Sequence, residues 1–173
     1  MLRKIWTEFI LLLLRRPARY QVAALCWRPA GAPEGASGTD APRTDEIEVL
    51  VVSSLTTHRW ILPKGWPKDG RSGAETALEE AWEEAGIRII GEPPVHIGRY
   101  AYHKRLRGDV PVRTLVDVFA VRIRGLLDHY PEEGRRERVW LSPAEAADRV
   151  QEPELKALLR DCARRISAAA AQA

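Results

Sequence analysis

The sequence predicts a mixed α/β domain, and three observations carry that prediction. Apolar runs of strand length, rich in β-branched residues, recur at 20–28, 46–54, 95–105 and 114–123. Between the second and third lies a short helix with both ends marked, Ser72-x-x-Glu75 at the start and Gly86 at the stop. The chain then closes on a strand that feeds helices, over 138–166. With 173 residues, 45% of them apolar and 29% charged, it has the material for one domain with a real core.

Residues 2–16, LRKIWTEFILLLLRR, set Leu2, Ile5, Trp6, Phe9, Ile10 and Leu13 at helical spacing. The Arg3-Lys4 start hints at a signal peptide. Against that, Glu8 interrupts the apolar run, no small-residue cleavage site follows, and the stretch is too short to span a bilayer. Segment 1–19 is therefore read as a packing or dimerising helix, which admits a homodimer and argues against a membrane partner. The domain proper is expected over 20–165. Its first strand is YQVAALCWR, followed at 29–45 by a Pro/Gly/Ala-rich insertion without periodicity, expected to be flexible. EIEVLVVSS is the second strand. A turn through 54–59 leads into RWILP, a short strand ending at Pro63, and Lys64 opens the loop at Gly65.

The helix is expected to begin near Gly73 and to end at Gly86, where glycine takes the left-handed conformation at little steric cost. Ala74, Leu78, Ala81, Trp82 and Ala85 share one side and are expected to pack onto the sheet. Glu80, Glu83 and Glu84, at i, i+3 and i+4, share the other. Such a run reads either as a solvated acidic face or as a site for a counter-charge. Hard oxygen ligands on a rigid helix suit Mg²⁺, with Mn²⁺ as the alternative. Lys64, Lys68 and Arg71 cluster close by in sequence, as a phosphate-binding site requires, though any one of the lysines also reads as a plain surface charge.

After the helix, VHIGRYAYHKR and TLVDVFAVRI form a hairpin whose tip gathers His103, Lys104, Arg105, Arg107 and Arg113. Those charges read as a solvated loop that protects a sheet edge, or as a second contact surface for a phosphorylated ligand. His96 and His129 stand alone, without ligand spacing. The loop PEEGRRER, 131–138, brings Glu132, Glu133 and Glu137 as candidate further ligands or bases. Ser142-Pro143-x-Glu145 starts a helix, and Pro153 starts the last one, through Ile166. Residues 166–173 are expected to fray.

A net charge of +3 suits a polyanionic small molecule and lacks the dense basic tracts of a dedicated nucleic-acid binder. Cys26 and Cys162 make neither a disulfide framework nor a zinc spacing. Two buried thiols in a reducing compartment are expected, and with them a cytoplasmic location.

The segment from Gly65 to Ile87 resembles the Nudix box, G-x5-E-x7-R-E-U-x-E-E-x-G-U with U a bulky apolar residue. Gly65, Glu80, Glu83, Glu84, Gly86 and Ile87 match, and Ala81 fills a U position weakly. Two positions depart: Arg71 stands where the pattern has glutamate and Glu79 where it has arginine. The resemblance extends over 20–165 and implies an α/β/α sandwich with a mixed sheet between helices. It implies Mg²⁺-dependent hydrolysis of a pyrophosphate bond, with Glu80, Glu83 and Glu84 as metal ligands beside the carbonyl of Gly65. Glu83 is the preferred base. Lys64, Lys68, Arg59, His103, Arg105 and Arg107 are the implied substrate contacts, and Arg71 with Glu79 a structural pair of exchanged sign. LPKGW and the basic surroundings look most like the diphosphoinositol polyphosphate phosphohydrolase group, with dinucleoside polyphosphates as the other substrate class. Trp27, Trp60, Trp66 and Tyr102 are candidates to clamp a base. Two further readings stay open: a Nudix-fold binding module without hydrolysis, and an RNA-end pyrophosphohydrolase.

Overall fold

A computed structural model describes residues 19–31, 47–89, 91–105 and 111–172, the side chains of 104, 105 and 111 excepted. The expected N-terminal helix, most of the 29–45 insertion, the hairpin tip with Arg107 and the side chain of Arg105 lie outside the described residues.

Strand β1 (Arg19–Pro29) is the spine. It is buried from Gln21 to Trp27 and carries an apolar run on both faces, because helices cover both sides of the sheet. Strands β2 (Ile47–Ser53), β3 (Trp60–Ile61) and β4 (Lys64–Gly65) follow. Helix α1 (Gly73–Ala85) comes next, then β5 (Ile87–Ile89), β6 (Val95–Arg105), β7 (Pro111–Leu126) and β8 (Arg138–Leu141). Helices α2 (Pro143–Arg149), α3 (Pro153–Arg160) and α4 (Cys162–Ala170) complete the chain. The sheet is mixed: β1 runs parallel to β7, from Arg19 opposite Thr114 to Trp27 opposite Arg122, and the other pairings are antiparallel.

Alternation along β1 divides the core. Ala23, Leu25 and Trp27 face Leu155, Leu158, Leu159 and Cys162 of the C-terminal helices. Val22, Ala24 and Cys26 face Ala77, Ala81 and Ala85 of α1. This is the α/β/α sandwich. Small alanines let α1 approach the sheet closely, while each large aliphatic on the opposite face contributes roughly 2 kcal/mol on burial. Both cysteines are buried and free, and burial pushes both thiols up to about 12.

Both ends of α1 lie where the sequence puts them. Ser72 and Glu75 form a reciprocal capping box, and Gly86 takes φ 63° while its N–H donates to Trp82 O. Only glycine fits there, since a Cβ would stand 2.6 Å from the Tyr130 ring. Other details differ. The buried stripe of α1 is Thr76, Ala77, Ala81, Glu84 and Ala85, so Trp82, expected to pack, is instead 44% exposed. Lys64–Gly65, read as loop, pairs with Val22 and Ala23 of β1. The expected strand 114–123 extends to Pro111–Leu126 because β5 and β6 both pair along it. The tail expected to fray stays helical to Ala170, anchored by buried Ile166 and by Arg165, which donates to Ile97 O at 3.0 Å. Among the described residues no helix is long and apolar enough to cross a membrane.

Candidate active site

The β4 pairing delivers the backbone at Lys64 and Gly65 to the acidic face of α1. Lys64 N–H donates to Glu84 Oε2 at 3.1 Å, and Glu80 packs against Gly65 so tightly that a Cβ there would overlap its carboxylate. Glu84 is buried. Its other oxygen accepts from Arg136 Nη2 at 2.6 Å, in a pair with less than a tenth of either side chain exposed. Burial pushes Glu84 up to about 7, with the positive charges of Arg136 and Lys64 opposing the shift.

Arg136 is the residue that sequence reasoning missed. Of the candidate glutamates of the 131–138 loop, Glu132 is its second partner, accepting from Arg136 Nε. A third bond runs from Arg136 Nη1 to Ser53 O at 3.0 Å. The loop is stitched down by Glu132 N–H to Glu83 O at 3.1 Å and by Ser53 N–H to Glu137 O at 3.0 Å. The signal available in sequence was the two arginines of GRRER, with nothing to say which one turns inward.

Lys68 holds the rest of the acidic face. Its ammonium lies 3.1 Å from Glu83, 3.3 Å from Glu79 and 3.5 Å from Glu80. Burial acts to lower the Lys68 pKa, but hydrogen bonds to Glu83 and Glu79 outweigh it and raise the value. Burial raises Glu80, and Lys68 opposes it. Arg71 Nε sits 3.1 Å from Glu79 Oε2, outside good hydrogen-bond geometry, with half of the Arg71 side chain exposed. The four glutamates are thus shared among three cations, Glu79, Glu80 and Glu83 on Lys68, Glu79 also on Arg71, and Glu84 on Arg136. Among the described residues no three acidic or imidazole side chains stand ready as a metal cage. The donor set still fits a hard cation, because Lys68 shows a positive charge already held by three carboxylates of this helix.

A cleft of about 660 Å³ opens over this face. It brings Glu80, Glu84 and Gly65 together with Lys64, Arg59, His103 and Arg136. Arg59 is set by the turn before it: Ser54 N–H donates to Arg59 O at 2.8 Å, Arg59 N–H returns to Ser54 Oγ at 3.1 Å, and His58 accepts φ 50° to close the loop. Trp66 and Tyr102 also line the cleft. Trp27 and Trp60 belong to the opposite core, with Arg122 and Arg149 over their rings. His96 lies 3.3 Å from Asp117 and His129 3.1 Å from Glu133, both away from the cleft.

The family model described as NUDIX domain matches residues 36–162. The chain belongs to the Nudix family. As a Nudix protein it is a hydrolase of pyrophosphate bonds. It is 31% identical to Nudix hydrolase 18, mitochondrial, of Arabidopsis thaliana, over 75% of this chain and 70% of that one. To Nudix hydrolase 12, mitochondrial, of the same plant it is 33% identical over 69% of this chain and 59% of the relative. In fold it is similar to the C. elegans Ap4A hydrolase, with a TM-score of 0.56 at 18% identity over 87% of this chain and 97% of that one. It is similar also to the Nudix domain of Shewanella oneidensis NrtR bound to ADP ribose, with a TM-score of 0.57 at 12% identity over 92% and 98%. Two expectations change. The relatives carry mitochondrial names, which overturns the cytoplasmic location: free thiols fit any reducing compartment and give no address. Those names specify no substrate, so they lend nothing to the diphosphoinositol polyphosphate branch.

Proposed function

We propose that this Nudix hydrolase uses Mg²⁺, or Mn²⁺ in its place, to cleave a phosphoanhydride bond in a polyphosphorylated small molecule. Dinucleoside polyphosphates and diphosphoinositol polyphosphates are the two substrate classes. The observation that carries the reading is a single cleft in which Glu80 and Glu84 face the same space as Arg59, Lys64 and His103. Carboxylates for a cation beside cations for phosphate are the two halves of a phosphoryl-transfer site.

Glu80, Glu83, Glu84 and the carbonyl of Gly65 would hold the ion. When bound, it supplies charge against the phosphoryl oxygens and makes water a better nucleophile at neutral pH. Glu83, with a third of its side chain exposed, takes the proton of the attacking water. Lys64, Arg59, Lys68 and His103 balance charge on the phosphates, and Arg105 and Arg107 are carried over from the sequence as candidate contacts for further phosphates. Arg71 and Glu79 tie the loop to the helix with the signs exchanged.

The test is a hydrolysis screen with Mg²⁺, with Mn²⁺ and with chelator, over dinucleoside polyphosphates, diphosphoinositol polyphosphates, nucleotide sugars and nucleoside triphosphates, with products resolved. Metal-dependent turnover of a polyphosphate class at kcat/KM above about 10⁴ M⁻¹s⁻¹ is expected. Turnover that survives chelation, or confinement to substrates without a phosphoanhydride, would overturn the reading.

A further inference from the structure

Helix α1 and strand β5 leave an apolar groove on the solvent side of the domain. It is a hollow of about 360 Å³ whose walls include Leu78, Trp82, Ile87 and Ile89. Among the described residues Trp82 and Ile89 are the most exposed large apolar side chains, at 44% and 46%. An apolar side chain exposed singly needs no explanation, but four around one hollow mark a docking surface. Arg71, Glu75 and Glu79 also line it, two carboxylates against one guanidinium.

We propose that the occupant is the chain's own N-terminal segment, residues 2–16, laid into the groove as an amphipathic helix. Three observations select it over a foreign partner. The segment has an apolar stripe of its own to cover, Leu2, Ile5, Trp6, Phe9, Ile10 and Leu13. Its charge complements the groove: Arg3, Lys4, Arg15 and Arg16 outweigh Glu8 and flank the stripe at both ends. Its point of attachment is also close. Arg19 opens β1 with its guanidinium 5.5 Å from the centre of the Trp66 ring. Two residues beyond Trp66, the Lys68 ammonium lies 3.3 Å from Glu79, in the groove wall. Pro17 stops a helix at Arg16, so only Pro17 and Ala18 connect the segment to β1. A helix over 2–16 is roughly 22 Å long, enough to pass Glu75, Leu78 and Trp82 on α1 and reach β5. So short a tether gives the segment an effective concentration in the millimolar range, which a second copy in dilute solution does not match.

The experiment follows hydrogen exchange by mass spectrometry on the full chain, as wild type and as Trp82→Asp and Ile89→Asp. In the wild type the amides of 4–16 are expected to exchange at least about tenfold more slowly than in an undocked segment. Each groove variant should return them to the fast rate while β1 and β7 stay protected, and the protected strands show that the variant is folded. Two variants on different elements guard against one that fails to fold. Phe9→Asp should release the same amides from the other side of the contact and expose Trp82 to hydroxyl-radical oxidation. Fast exchange over 4–16 in the wild type, or slow exchange that survives both groove variants, overturns the proposal. So does protection confined to high protein concentration with a dimer in sedimentation, which assigns the groove to a second copy. Protection that needs added phosphatidylglycerol vesicles assigns the segment to a lipid surface and overturns it equally.

Discussion

A methyl group on Gly65 would stand 2.0 Å from the carboxyl carbon of Glu80. Strand β4 and helix α1 are therefore fitted to each other at Glu80, one of the proposed metal ligands. Gly65→Ala should displace Glu80, which can swing outward because it is a flexible side chain, while the fold stays intact. The expected loss in kcat is about a hundredfold, since small misplacements of reacting groups cost that much. Kinetics at saturating Mg²⁺ with circular dichroism as the fold control check this; wild-type kcat would place Glu80 outside the chemistry.

Glu84→Gln should reduce turnover to less than about a tenth of wild type, because the neutral amide keeps the shape and loses the ligand charge. Isothermal titration with Mg²⁺ on the same variant should show weakened binding. Undiminished affinity would remove Glu84 from the ligand set.

Arg136 and Glu84 form a nearly dry ion pair. Arg136→Met leaves an uncompensated buried carboxylate and should cost about 3–5 kcal/mol in urea unfolding. Adding Glu84→Gln to that background should recover part of the loss, because the remaining partner no longer carries charge. Strictly additive losses would mean that the pair is not coupled.

The exchanged pair is a weaker bond. Arg71 is half exposed, and Glu79 is shared with Lys68 at 3.3 Å. A double-mutant cycle of Arg71→Glu with Glu79→Arg should give a coupling energy below about 1 kcal/mol. Glu79→Arg alone should hurt activity more than stability, since it sets a cation beside Lys68.

Asp117 is a carboxylate whose stabilising contribution depends on acid pH. Arg99 donates to both of its oxygens, at 2.6 and 2.9 Å, Tyr20 donates at 2.6 Å, and His96 lies 3.3 Å away. The Arg99 bonds, chiefly, hold its carboxyl well below the usual carboxylate range. A depressed native pKa means stability that is complete above the unfolded value and lost as pH falls toward the native one. Asp117→Asn should be the less stable protein at pH 7, with the gap to wild type narrowing steadily below about pH 5. A constant gap would assign the effect of Asp117 to packing alone.

What the sequence made legible was local. Ser72, Glu75 and Gly86 fix the ends of α1 through bonds spanning a few residues, and β1, β2 and β6 announce themselves by composition. What it hid was made by distant partners. Two-residue β4 exists because β1 offers it an edge, and the inward turn of Arg136 depends on Glu84, 52 positions away. Trp82 was misplaced because the helix meets the sheet along its alanines, a stripe rotated from the one expected. The tail was misread because alanine-rich ends fray unless docked, and Ile166 and Arg165 dock it.

The parallel partnership of β1 with β7 has a consequence during synthesis. Arg19 meets Thr114, so the oldest strand of the sheet waits for one made 95 residues later. At about 5–20 residues per second that interval lasts roughly 5–20 s on the ribosome. Through it the segment VAALCW, destined to be covered on both faces, has its parallel edge open, and the face of Ala23, Leu25 and Trp27 lacks the C-terminal helices that will cover it. Until β7 emerges, the antiparallel pairings with β2 and β4 are the native ones open to β1.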